Sequence, residues 1–126
     1  MRKENSTNNI NRETLISRCP VNFTLELIGG RWKTLILFNL QKKPLRFSEL
    51  KRALPGVTEK MLTQQLRELE ADNLLTRTVY AEVPPRVEYS LTDLGKSLWP
   101  VMNTIAQWGL NVMPTIPSKV ITNAQV

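Results

Sequence analysis

The stretch from Leu45 to Leu91 constrains the fold most strongly, because its apolar spacing indicates two short helices followed by a β-hairpin. Intervals of three and four residues give each helix one buried stripe. The apolar positions of the two helices are Phe47, Leu50 and Leu54, and then Leu62, Leu66 and Leu69. This order predicts a winged helix-turn-helix, a mainly α-helical fold with a small β-hairpin wing.

The second of these helices leaves to solvent a face whose side chains suit duplex DNA. That face carries Lys60, Thr63, Gln64 and Arg67. Such side chains donate to phosphate oxygens or read base edges in a major groove. No carboxylate interrupts this group, and the acidic residues from Glu68 onward gather towards the other end. We therefore expect the N-terminal end of the helix, capped by Thr58, to face DNA. A solvated surface helix would also carry such side chains.

The hairpin that follows carries a cation near its predicted tip. Val79 and Tyr80 favour a strand, and Pro84-Pro85-Arg86 forms a stiff, basic tip. An arginine held beside a recognition helix is typical of a DNA-binding wing, although a solvated loop cation would give the same pattern. Two further candidate DNA-binding residues, Arg46 and Ser48, flank the start of the preceding helix.

The charge of the chain is concentrated in one stretch. Between residues 31 and 52, seven basic residues stand against Glu49 alone, a local charge of +6 that equals the net charge of the whole chain. The seven are Arg31, Lys33, Lys42, Lys43, Arg46, Lys51 and Arg52. Such a stretch attracts a polyanion or a membrane surface. No lipidation signal, spanning segment or apolar N-terminal signal is found, so we expect a cytoplasmic protein without a membrane partner.

Composition divides the whole chain into three parts. Residues 1–14 are polar and predict a flexible N-terminal arm, residues 15–112 form the winged helix-turn-helix domain with dimerisation helices, and residues 113–126 form a frayed tail. Within the domain, further helices are expected from Cys19-Pro20 to about Ile28, from about Trp32 to Leu40, and from about Asp93 to Gly109. Gly29-Gly30 should break the first, Leu35 should be buried in the second, and Pro100 should kink or restart the last.

The chain resembles the HxlR-type family of winged helix-turn-helix regulators, which are relatives of the MarR type. The matching motifs span roughly Cys19 to Trp108 and include Cys19-Pro20-Val21, Gly29-Gly30-Arg31-Trp32, Leu45-Arg46-Phe47-Ser48-Glu49-Leu50, Leu66-Arg67-Glu68-Leu69-Glu70 and Pro85-Arg86-Val87-Glu88-Tyr89-Ser90-Leu91-Thr92. The resemblance implies a dimeric transcription factor that dimerises through its first and last helices. It also implies that Thr58 to Asp72 enters the major groove, and that the wing around Arg86 touches backbone or minor groove. Asn73 departs from the usual glycine, and the N-terminal arm is longer than in many relatives.

Dimerisation is also expected from the apolar surface of the last helix. Its apolar set exceeds what one small domain needs, and a twofold dimer would cover it while pairing two recognition helices. The expected interface residues are Phe23, Leu27, Trp99, Met102, Ile105 and Trp108. Half-sites about 10 base pairs apart would follow, and hence a short inverted repeat. The tryptophans could instead close the core of a monomer.

Cys19 is the one residue that suggests covalent chemistry. At the cap of the first helix, free N–H groups and the nearby Arg18 would favour a reactive thiolate. The resemblance supports this expectation, because several relatives sense oxidants or electrophiles through a cysteine at this place. The partner would then be a small oxidant or electrophile. As the sole cysteine it cannot form a disulfide within one chain, and a buried cysteine acting as a small hydrophobe is the alternative.

Enzymatic and metal-dependent functions find no support in the residue types present. The chain has no histidine and one cysteine, no glycine-rich phosphate loop, and no base beside Ser48 or Ser90. We expect no cofactor and no catalysis. Two kinds of function remain: a sequence-specific DNA-binding regulator, controlled by Cys19 or by a small ligand, and a winged-helix protein-interaction module without DNA binding. Lys60, Thr63, Gln64, Arg67 and Arg86 together favour the regulator.

Overall fold

A computed structural model of the protein describes residues 19–116. The expected arm at residues 1–14 lies outside this range, as does most of the expected tail. The chain divides into two compact units, Met1–Arg31 and Trp32–Val126. Each is described by itself.

The first unit contains one described helix, α1 (Pro20–Ile28). Pro20 occupies the first helical position, where its missing N–H costs no hydrogen bond. The Phe23 N–H donates to the Cys19 carbonyl oxygen at 2.9 Å, which closes the first turn. At the other end the Gly29 N–H bonds to the Leu25 carbonyl oxygen, and Gly30 has a φ of 82°. The predicted first helix and its break at Gly29-Gly30 are confirmed.

The second unit has the element order of a winged helix. α2 begins at the boundary residue Arg31, and a 3-10 turn ends the described chain. The elements are α2 (Arg31–Leu40), β1 (Leu45–Arg46), α3 (Phe47–Ala53), α4 (Glu59–Ala71), β2 (Leu75–Tyr80), β3 (Arg86–Leu91), α5 (Asp93–Lys96), α6 (Trp99–Val112) and the 3-10 turn Met113–Thr115. The predicted fold class is confirmed, because two helices and a hairpin follow one another as the apolar spacing indicated.

The three strands form one antiparallel sheet in the order β1-β3-β2. Along the hairpin Leu75 lies opposite Leu91, Arg77 opposite Tyr89, and Tyr80 opposite Arg86. Because side chains alternate along a strand, the first two pairs share one face and the third lies on the other. Leu75, Tyr89 and Leu91 are buried, so the face that they share with Arg77 is the one turned towards the core.

The core of this unit combines apolar stripes from α2, α3 and α4 with the inner face of the sheet. Its largest fully buried side chains are Ile36, Leu37, Leu50, Leu54, Leu62, Leu66, Leu69, Leu74 and Leu75. The predicted stripe of α4 is thus confirmed. The prediction that Leu35 is buried is wrong: it lies one residue before the buried Ile36, about 100° from it around α2, and it is exposed.

The C-terminal part of the second unit is two helices instead of one long one. The Thr92 hydroxyl caps α5 by accepting from the Gly95 N–H at 3.0 Å, and it donates to the Asn73 carbonyl oxygen at 2.7 Å. Pro100 lies in the first turn of α6, where a proline is tolerated. The predicted restart at Pro100 is confirmed. α6 continues three residues beyond the expected end near Gly109, and the 3-10 turn follows it directly.

Candidate nucleic-acid interface

The turn between α3 and α4 sets the start of the recognition helix. Gly56 has a φ of 90°, a left-handed conformation that favours glycine, and it lies in the turn before Thr58. Thr58 has extended backbone, and its hydroxyl accepts from the Met61 N–H at 3.1 Å. This bond satisfies one of the free N–H groups at the helix start. The expected N-cap is therefore present, and α4 begins at Glu59.

The four polar residues predicted on α4 line one open groove along its solvent side. Lys60, Thr63, Gln64 and Arg67 follow one another at intervals of three, one and three residues, which places them on one face of the helix. Glu59 and Glu68 line the same groove. No carboxylate lies between the four, as expected: one acidic side chain stands at each end of the groove, and the cationic and amide groups lie between them.

Glu68 joins this face to α2. The Lys33 ammonium lies 2.6 Å from Glu68 Oε1, and the Gln64 side-chain amide donates to Glu68 Oε2 at 3.4 Å. The hydrogen bond and charge of Lys33 lower the pKa of the Glu68 carboxyl below its ordinary value. The Lys33 side chain is only 13% exposed. Lys33 therefore orients the α4 face through Glu68, and it is not free to neutralise a phosphate as the basic stretch suggested.

The other cations of the basic stretch lie on different elements. Arg46 is exposed at the end of β1, and its backbone N–H donates to Glu49 Oε1 at 2.8 Å, which closes the start of α3. Ser48 is exposed in the first turn of that helix. Lys42 and Lys43 instead line a separate cleft with Lys96. The stretch is continuous in sequence, but in the structure its cations are divided among two helices, a loop and a strand.

Arg86 occupies a different place from the one predicted. It is the first residue of β3, instead of the tip, and its guanidinium lies 3.8 Å from the centre of the Tyr80 ring. Its nitrogens also reach Glu82 at 2.9 Å and Glu88 at 2.7 Å. The hydrogen bond from Arg86 lowers the pKa of Glu82, and that carboxylate in turn raises the pKa of Arg86.

These contacts make Arg86 a structural residue that connects β2, the tip and β3 of the wing. Its side chain is 23% exposed, and both carboxylates hold the guanidinium against the strands. The residues at the tip, 81–85, are all exposed, and the peptide bond between Val83 and Pro84 is cis. The expected basic tip is corrected: Arg86 begins β3 and is paired with Glu82, which lies within the tip.

The last helix presents the apolar surface that was expected. Trp108 is 68% exposed and Ile105 is 54% exposed, while Trp99 stacks on Phe38 with 6.1 Å between ring centres and is still 44% exposed. Met102 differs, because it is 2% exposed and belongs to the core of its own chain. Met102 is therefore removed from the expected set of exposed interface residues. In the first unit Phe23 is exposed and Leu27 is half-buried.

Cys19 is the N-cap residue of α1, as predicted. Its thiol makes no capping hydrogen bond, and the residue is half-buried. The start of α1 is therefore stabilised by a backbone hydrogen bond and by Pro20, and not by the thiol. A buried, core-forming cysteine is not what the structure shows.

One group near the predicted site was missed. Arg77 of β2 and Tyr89 of β3 line a cleft of about 440 Å³ with four residues of α4, including Thr63 and Arg67. Arg77 lies opposite Tyr89 in the hairpin. The alternation of side chains along a strand puts Arg77 on the inward-facing side of the sheet, and that alternation was the available signal. Between residues 19 and 116 no cluster of three potential metal-ligating side chains occurs, and no helix there is long and apolar enough to cross a membrane.

A capped recognition helix, a preceding helix and a three-stranded wing define the class of winged helix-turn-helix transcription regulators. The chain belongs to the HxlR-like helix-turn-helix family, whose model matches residues 27–122. The resemblance expected from the motifs is thus confirmed. The family consists of transcriptional regulators that bind DNA and act as dimers, and they are not enzymes.

Similar proteins include one transcriptional regulator compared by sequence and two regulators of known structure. The HTH-type transcriptional regulator YkvN of Bacillus subtilis is 54% identical over 91 residues, covering 72% of this chain and 77% of YkvN. The redox regulator HypR in its reduced form is 45% identical, with a TM-score of 0.75 over 79% of this chain and 99% of HypR. The reduced transcriptional regulator YodB of B. subtilis is 34% identical, with a TM-score of 0.66 over 79% of this chain and 96% of YodB.

Proposed function

We propose that this transcriptional regulator binds a specific DNA sequence through the exposed face of α4. The observation that carries the proposal is the single groove lined by Lys60, Thr63, Gln64 and Arg67 on a helix whose other face is buried. Lys60 and Arg67 supply charge for phosphates, and Gln64 supplies an amide that can pair with a base edge. Arg46 and Ser48 at the start of α3 and Thr58 at the start of α4 are exposed, and they are proposed to contact the DNA backbone.

The proposed DNA-binding form is a homodimer on a short inverted repeat. The apolar surface of α6 supports this, since Trp108 and Ile105 are more than half exposed in the single chain. An isologous interface would cover the surface twice and present two copies of α4 to successive major grooves. Phe23 and Leu27 of α1 are proposed to take part as well, in keeping with dimerisation through the first and last helices. Such a dimer works in the cytoplasm, where the chromosome lies.

Repression is the favoured mode of regulation. A dimer that covers a promoter blocks transcription by occupancy alone, whereas activation requires a further surface that recruits polymerase. Regulation by occupancy needs only the DNA-binding surface and a means of releasing the DNA from it.

The DNA-binding proposal is tested by selecting sequences from a random duplex pool and measuring affinity with variants. Gln64→Ala is expected to relax preference at one base position in each half-site, and Lys60→Ala to weaken all sequences and lower the salt dependence. Lys96→Ala removes the same charge from a different cleft and is expected to behave as the parent. If no duplex binds at low salt, the protein-interaction module becomes the better description.

We further propose that Cys19 controls this binding. Its half-buried position at the start of α1 and the redox regulators HypR and YodB among similar proteins support the proposal. Modification by a small oxidant or electrophile would displace α1 and change the separation of the two recognition helices. Allosteric couplings typically amount to about 1–3 kcal/mol, or roughly 5- to 150-fold in affinity.

The sensor proposal is tested with Cys19→Ser. Diamide or a quinone is expected to weaken operator binding by the parent and to leave the variant unchanged, with mass spectrometry locating the adduct. An equal response from both proteins would remove Cys19 from the mechanism. Control by a small ligand that acts without thiol chemistry is the alternative, and it predicts that neither protein responds to diamide.

A further inference from the structure

The cleft between α4 and the hairpin contains two arginines that the fold has not neutralised. Arg67 projects from α4 and Arg77 from β2, and they share the cleft with Thr63, Glu70 and Tyr89. Across the described range neither guanidinium forms an ion pair, whereas Lys33 and Arg86 do. Two like charges around one cleft repel each other unless an anion lies between them. The cleft therefore has the charge of an anion site.

Tyr89 gives the cleft a neutral donor. The residue is 9% exposed, and its hydroxyl forms no hydrogen bond with any residue from 19 to 116. Every fully buried side-chain oxygen in that range has a hydrogen-bond partner. Because the Tyr89 hydroxyl has none, it is not fully buried and reaches solvent. It does so at the wall that Tyr89 and Arg77 form across the β2-β3 ladder. One hydroxyl and two guanidinium groups that line the same cleft are a suitable donor set for a phosphate oxygen.

The position of the cleft identifies where such a phosphate would come from. A recognition helix in the major groove and a wing at the next minor groove lie on either side of one DNA strand. The backbone of that strand must then cross the gap between α4 and the hairpin, which is this cleft. We propose that Arg67, Arg77 and the Tyr89 hydroxyl bind one backbone phosphodiester of the DNA strand that separates the two grooves. This inference deepens the proposed function and rests on it.

Glu70 sets the strength of this site. Its carboxylate lines the same cleft, where it would repel a phosphate. The site therefore contains two positive charges and one negative charge. Removing the Glu70 charge should strengthen DNA binding, and removing the Arg77 charge should weaken it, in both cases for every sequence alike.

The test measures affinity by fluorescence anisotropy for a random-sequence duplex of about 30 base pairs, roughly three turns, over a series of salt concentrations. Each lost phosphate contact lowers the slope of log affinity against log salt by about 0.9. Arg77→Gln is expected to weaken binding roughly tenfold at low salt and to lower the slope by about 0.9 for each cleft engaged. Arg77→Lys keeps the charge and should keep most of the slope.

Matched variants separate this site from a general effect of charge. Lys96→Gln removes the same charge from another cleft and is expected to bind as the parent. Tyr89→Phe preserves the core and removes only the hydroxyl, so it should weaken binding roughly threefold to tenfold without changing the slope. Glu70→Gln should raise affinity. Thermal unfolding of each variant confirms that it is folded.

The outcomes distinguish this inference from the proposed function. If the parent binds and Lys60→Gln weakens binding, but Arg77→Gln matches Lys96→Gln, the cleft holds no phosphate and the inference alone fails. If inorganic phosphate stabilises the parent but not Arg77→Gln, while DNA binding is the same for both, the cleft takes a free anion and the inference is overturned. Failure of the parent to bind any duplex would overturn the proposed function together with it.

Discussion

For single residues, the role of a cation is decided by whether the fold already supplies a carboxylate. Lys33 and Arg86 are the two basic residues with ion pairs in the described part of the second unit, and both hold secondary-structure elements in place. Lys60, Arg67 and Arg77 form no ion pair there, and they line open grooves. Charge counted along the sequence does not distinguish these two groups, since Lys33 lies within the most basic stretch.

Lys33→Met is expected to raise the pKa of Glu68 towards its ordinary value near 4.5. Lys33 stabilises the ionised carboxylate, so its contribution to stability is present above pH 4.5 and is lost as pH falls through the lowered pKa. The free energy of unfolding of parent and variant should therefore differ most near neutral pH and converge in acid. Met keeps the covered aliphatic stem. Carboxyl NMR titration and urea unfolding measure both effects, and an unchanged Glu68 pKa would contradict the assignment.

Among the secondary-structure elements, the junction between α4 and β2 depends on one left-handed residue. Asn73 has a φ of 62°, and its carbonyl oxygen accepts from Thr92, the residue that caps α5. The backbone after it continues into the buried Leu74 and then into β2. The recognition helix, the wing and α5 therefore meet at this position.

Asn73→Ala is expected to destabilise the protein by about 1–2 kcal/mol, because alanine adopts this left-handed φ less readily than asparagine does. Asn73→Gly should be close to neutral, since glycine adopts the same conformation freely. Chemical unfolding with both variants measures the difference. Equal stability of the alanine and glycine variants would show that the left-handed conformation does not constrain this junction.

The elements were largely predictable from the sequence because their signals are local. Thr58, the leucine stripe of α4 and Pro100 each act within one or two turns of helix, and all three predictions hold. The ion pair between Lys33 and Glu68 joins residues far apart in sequence, so no local pattern indicates it. Arg86 was misplaced because a loop tip and a strand start look alike beside prolines.

At the scale of the whole molecule, the surface of α6 is the feature that a single chain leaves unexplained. A tryptophan buries about 150–250 Å² when it is fully covered, so exposing Trp108 in water is costly. Dimerisation would remove that cost and would also fix the separation between the two DNA-binding faces. Affinity for an inverted repeat would then depend on α6, which touches no DNA.

Trp108→Arg is expected to shift the protein towards monomer and to reduce binding to a two-half-site operator far more than binding to one half-site. Gln107→Arg adds the same charge at the neighbouring exposed position and serves as the control. Sedimentation at several protein concentrations measures the assembly state. A parent protein that is monomeric at all concentrations, or a Trp108→Arg variant that remains dimeric, would contradict the proposed interface.

The most direct test of the central claim is a footprint on the DNA upstream of the protein's own coding region, with reduced protein and with diamide-treated protein. We expect the reduced protein to protect a short inverted repeat, and treatment to abolish the protection through Cys19. Protection that survives treatment would keep the DNA-binding regulator and remove the thiol switch. No protection of any fragment at low salt would contradict sequence-specific DNA binding through α4.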